Sequence, residues 1–157
     1  MLSGLALAAV LQLAQAQGYG PPPETGANSL AGSIFQDHIL LREGETILVR
    51  LDDSGGHLVP RFVAEGDEAR EGDPSRNQVR FTFLPRGGPP VLEVENHSAD
   101  RLSFTTTYRD SLGNQRTPES CPAYRGVTDL KIPPRAVRVE IYDLRWGGHE
   151  RRGQECG

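Results

Sequence analysis

Three groups of residues in this chain have types and spacings suited to chemistry. Asp52, Asp53 and His57 bracket Ser54-Gly55-Gly56. Two carboxylates and an imidazole on one loop make a ligand set for a divalent cation, and a metal-dependent enzyme or hydrolase would use this Asp52–His57 segment. The composition is equally that of an ordinary hairpin loop, in which Asp caps its own backbone and Gly takes left-handed angles. The hairpin is the preferred reading. His97, Asp100 and Ser103 are the residue types of an acyl-transfer triad. They sit within one short stretch, however, where Asn96-His97-Ser98-Ala99-Asp100 has the composition of a connecting turn. Asn96-His97-Ser98 also matches the glycosylation acceptor pattern, which matters for a eukaryotic source. Tyr142, Arg145 and the sole tryptophan, Trp146, are of the kinds that carry recognition surfaces for a sugar or peptide; the plainer reading makes Trp146 a rim residue covering one end of the fold. There is no Gly-x-Ser-x-Gly elbow and no Ser-x-x-Lys. Sequence assigns no catalytic residue and no metal ligand, and no cofactor is expected.

These residues must be positioned by something, and the first question is where the chain folds. Residues 1–16 run apolar from Leu2 to Leu13 and end Ala14-Gln15-Ala16, a small-x-small pattern that a signal peptidase accepts. No Lys or Arg precedes the run, so the α-amino group alone supplies positive charge there. The segment is expected to be a signal peptide, and the protein periplasmic or secreted. No later stretch approaches the ~20 apolar residues of a membrane span, so none is expected after signal removal. Residues 17–31, rich in Gly and Pro, read as a flexible leader, and residues 32–157 as one domain.

Export would place Cys121 and Cys156, the only two cysteines, where thiols oxidise. A Cys121–Cys156 disulfide is expected, fixing the C-terminal tail to Ser120-Cys121-Pro122. The net charge of −4 gives no basis for a nucleic-acid partner and is too small to argue disorder. Sixteen of the seventeen basic residues are Arg, a bias that a GC-rich bacterial genome would produce.

The pattern from Ile39 onward is a series of short strands. Ile39–Leu41 and Thr46–Leu51 are expected to pair as a hairpin around Gly44. His57–Val63 is a further strand, weakened by Pro60. Residues 64–77, with five acidic groups, read as a solvated loop carrying at most a short helical turn. Val79, Phe81 and Phe83 alternate with polar residues, as do Leu92 and Val94, then Leu102, Phe104, Thr106 and Tyr108, then Val137, Val139 and Ile141. Such alternation marks half-buried, antiparallel strands. The fold expected is all-β: a two-sheet antiparallel β-sandwich of about seven strands, Ig-like in general architecture, with a small β-barrel as the alternative.

Val94–Phe104 resembles a strand–turn–strand of small exported, periplasmic β-rich proteins of Gram-negative bacteria, a group with no assigned activity. Thr117–Pro122 and the strand ending Ile141-Tyr142-Asp143-Leu144-Arg145 are similar to the later part of the same chains. The resemblance covers residues 91–146 and implies an envelope location and a β-rich fold. The function expected is non-enzymatic binding of a protein or glycan partner in the cell envelope. Two alternatives stand beside it: the secreted enzyme built on Asp52–His57, and a chaperone or inhibitor subunit that lends an edge strand to a client.

Overall fold

A computed structural model describes residues 33–85, 89–116 and 119–147. Residues 1–16, the leader at 17–31 and Cys156 lie outside them. The described residues form ten strands and one short helix: β1 (Ser33–Phe35), β2 (His38–Arg42), β3 (Thr46–Ser54), β4 (His57–Glu65), α1 (Gly66–Glu71), β5 (Gln78–Leu84), β6 (Val91–Asn96), β7 (Leu102–Asp110), β8 (Glu119–Ala123), β9 (Gly126–Lys131) and β10 (Ala136–Trp146). They build two antiparallel sheets, one in the order β1-β2-β10-β7-β8 and the other β4-β3-β5-β6-β9. The sheets do not close into a barrel. The architecture is the two-sheet sandwich, with ten strands in place of about seven.

The alternating apolar positions make the core. Ile47, Val49, Val79, Phe81, Phe83, Leu92 and Val94 project from one sheet onto Ile39, Leu41, Phe104, Tyr108, Val139 and Ile141 of the other. Phe81 and Phe104 meet edge to face across the interface, with centroids 5.9 Å apart at 89°. Each such side chain contributes about 1.5–3 kcal/mol by leaving water. Polar groups facing inward are paired: the Thr106 hydroxyl donates to Tyr108 Oη (3.0 Å) and lies 3.3 Å from Cys121 Sγ.

Two local expectations are corrected. β2 and β3 are not a hairpin. β2 pairs with β1 and β10, whereas β3 pairs with β4 and β5, so Glu43-Gly44-Glu45 is a corner at which the chain changes sheets. The corner is tied to β5, where the Gly44 N–H donates to the Phe83 carbonyl (2.7 Å) and the Phe83 N–H to that of Glu45 (2.9 Å). Gly44 takes a φ of 87°, which suits a residue without Cβ. The strands thereby set their apolar faces against each other across the core. Val137 was expected to face inward and is 40% exposed. A bulge between Ala136 and Arg138 shifts the register, so Ala136 takes the buried place.

The acidic stretch after β4 also holds more structure than a solvated loop. α1 seats Ala69 on Leu48 and Ala64, on the face of the sheet that points away from the core. Arg80, from β5, donates Nε–H to the Ala69 carbonyl (2.6 Å) and its other guanidinium N–H groups to the Gly72 carbonyl and Glu95. Arg70 donates to Thr46 Oγ1 (3.1 Å) and the Gly44 carbonyl (2.6 Å). Two guanidinium groups thus fasten a helix too short to persist alone.

Candidate functional site

The Asp52–His57 segment is the β3–β4 hairpin. Gly55 and Gly56 turn it with φ of 68° and 92°, and Asp53 Oδ1 accepts the Gly56 N–H at 3.1 Å. Asp52 is occupied elsewhere: it accepts from Arg50 (2.9 Å) and pairs with Arg61 (3.5 Å). The Arg50 hydrogen bond, with both guanidinium charges, holds its carboxyl below the ordinary range against some desolvation. His57 Nδ1 lies 3.6 Å from Asp143 on β10. The three residues face three different partners, and no group of three or more His, Cys, Asp or Glu among the described residues is placed to hold a metal.

The triad types separate as well. His97 Nε2–H donates to Glu95 (2.7 Å), and the Asp100 N–H donates to Ser98 Oγ (3.2 Å). Ser103 lies on β7 in the opposite sheet, between Arg145 and Pro122. Asn96 is fully buried, its amide donating to the Asp100 and Ala123 carbonyls at 3.0 and 3.3 Å. An enzyme that attaches a glycan has no access to that nitrogen in the folded protein, so the acceptor pattern is a capped turn.

The three recognition candidates divide between the two faces of β10. Trp146 packs against the core at the end of the sandwich, in agreement with the rim reading. Tyr142 and Arg145 point the other way. Between Tyr142 and Arg145 the strand bulges, with Asp143 at a φ of 53°, and Arg145 closes onto that carboxylate at 2.8 Å.

Tyr142 belongs to a larger arrangement, the outer face of β1-β2-β10-β7-β8. The strand registers bring Phe35 beside His38 and Tyr142 beside Thr105, with Ser120 beyond it. The His38 and Tyr142 rings stack at 4.9 Å and 12°, which joins the two halves into one row across five strands. The imidazole is held from its other side, since His38 Nδ1–H donates to Glu140 at 2.5 Å. The Tyr142 and Thr107 hydroxyls share a hydrogen bond of 3.3 Å. Phe35 stands 65% exposed at the end of the row. Rings at one side and hydroxyls at the other, on a rigid sheet, suit apolar stacking combined with hydrogen bonding.

Sequence reasoning found Tyr142 but missed Phe35, His38 and Glu140. The signal was the outward positions of β1 and β2 for the two rings and of β10 for Glu140, and β1 is too short to show alternation. No family model matches the chain, and no curated protein or solved structure is similar to it.

Proposed function

We propose that the protein is an exported, non-enzymatic β-sandwich of the cell envelope that receives a protein or glycan partner on the outer face of β1-β2-β10-β7-β8. The observation that carries this reading is the row Phe35–His38–Tyr142, in which one ring is left open to solvent and two are fixed by stacking and hydrogen bonds. A preorganised aromatic surface loses little entropy on binding. Export is supported by the pattern of residues 1–16, and a Cys121–Cys156 bridge would tether the tail in that compartment.

The test has two parts. N-terminal sequencing of protein from its host should begin after Ala16; a mature chain starting at Met1 would remove the export reading. Purified protein is then screened against glycan arrays and, after mild crosslinking on intact cells, for protein partners. Phe35→Ala and Tyr142→Ala should weaken the partner found, whereas Val127→Ala on the other sheet should not. Binding indifferent to both ring substitutions, or hydrolysis abolished by His57→Ala, would refute the proposal.

A further inference from the structure

The same outer face carries a second row, one whose charges are unbalanced. Arg138 on β10 sits directly opposite Arg42 on β2 and Arg109 on β7. Directly paired residues on adjacent strands have Cβ atoms about 4.5–5.5 Å apart, and like-charged side chains placed directly opposite oppose folding. Among the described residues, Arg50, Arg61, Arg70, Arg80 and Arg145 each have a carboxylate within ion-pair distance, whereas Arg42, Arg138 and Arg109 have none. Among the described residues, the one hydrogen bond from these three side chains is Arg109 Nη2–H to Gln115, at 3.4 Å. Glu45, the acid that feels both Arg42 and Arg138, turns its carboxylate to the Arg42 N–H (2.7 Å). Glu140, two residues from Arg138 on the same face of β10, is engaged by His38.

We propose that this arginine row recognises the acidic groups of a glycan whose sugar rings lie along the Phe35–His38–Tyr142 row. The inference rests on the reading of this face as the binding surface and adds the ligand's chemistry. Guanidinium groups take carboxylate, sulfate or phosphate oxygens in pairs, which ammonium groups do not. Arg138 and Tyr142 are four residues apart on β10, or roughly 13 Å. One extended oligosaccharide spans that distance, with hydroxyls of β7 and β8 within its reach. An acidic peptide would use the arginines but has less use for an open ring beside a bank of hydroxyls.

The experiment measures binding of purified protein to polygalacturonate, dextran sulfate, neutral dextran and single-stranded DNA. The two acidic polysaccharides separate carboxylate from sulfate recognition. Acidic glycan should bind and neutral dextran should not, with affinity falling as salt rises from about 50 to about 300 mM. Arg138→Gln and the double variant Arg42→Gln/Arg109→Gln should each weaken binding by about tenfold or more, a charge-assisted contact or two. Each variant is melted beside the parent, so that binding lost by a variant still folded at the assay temperature cannot be assigned to unfolding. Equal binding of neutral dextran, tighter binding of DNA, or arginine variants that bind like the parent would overturn the inference. If Phe35→Ala still abolished partner binding in that event, the face would stand as the binding surface and only its ligand class would fall.

Discussion

Glu45 is 8% exposed, at the corner where the chain passes between sheets. Burial pushes its carboxyl up, against the pull of the Arg42 N–H and of the Arg42 and Arg138 charges, with Glu65 adding to the rise. A carboxyl raised in the folded state favours folding below its unfolded value, and that contribution is lost as pH climbs through the folded one. Glu45→Gln keeps an acceptor for the Arg42 N–H. It should therefore melt above the parent at neutral pH, with the gap closing as pH falls through the carboxylate range; a gap that widened in acid would reverse the assignment. The core gives a larger effect. Phe104→Ala removes one ring of the pair that joins the two sheets, and should cost about 3–5 kcal/mol in denaturant melts. Asn96→Asp should cost about 3 kcal/mol, since Oδ1 would keep the Ser98 N–H while the oxygen replacing the amide nitrogen would face the Asp100 and Ala123 carbonyls with no donor.

Elements differ in how plainly their residues announce them. The strands read from alternation are the central ones together with β4. β3, β5, β6, β7 and β10 each bury every second side chain between the sheets, so the period is written in the residues. The three that alternation did not reveal, β1, β8 and β9, are all at sheet edges. β1 has three residues, β8 contains Pro122, and β9 buries Leu130 alone. An edge strand needs a weaker apolar face, and Pro is tolerated where no neighbour awaits its N–H. For the same reason half of the aromatic row was invisible: Phe35 and His38 occupy outward positions whose meaning comes only from their cross-strand neighbours. The short helical turn allowed for in residues 64–77 is α1, but what fastens it was hidden. Its hold on the sheet depends on Arg80, eleven residues beyond Ala69, and charge spacing alone does not reveal such an anchor. Arg80→Met should release the Ala69 and Gly72 carbonyls and leave Glu95 with His97 alone, at about 3 kcal/mol, the low end for a largely buried pair. Hydrogen exchange in α1 should rise well before that in β5.

At the scale of the whole molecule, the two sheets share the chain unevenly. β3 through β6 lie together in one sheet in an unbroken run, while the other gathers β1, β2, β7, β8 and β10 from both ends of the sequence. If Cys121 and Cys156 are joined, the bond fastens the chain beyond β10 to β8. Reduction should then lower stability by on the order of 3–4 kcal/mol, read as a shift in the unfolding midpoint between oxidised and reduced protein. Unchanged midpoints with two reactive thiols would show that the tail is not held by sulfur.

β10, the last strand of the described residues, lies between β2 and β7 and holds them together. Until residues 136–146 leave the ribosome, β2 and β7 have no common neighbour and half the sandwich has no centre. Assembly must therefore wait for β10 and for contacts about a hundred residues apart in sequence, such as His38 to Glu140, the kind that form slowly. A nascent chain built this way stays threadable until β10 has been made.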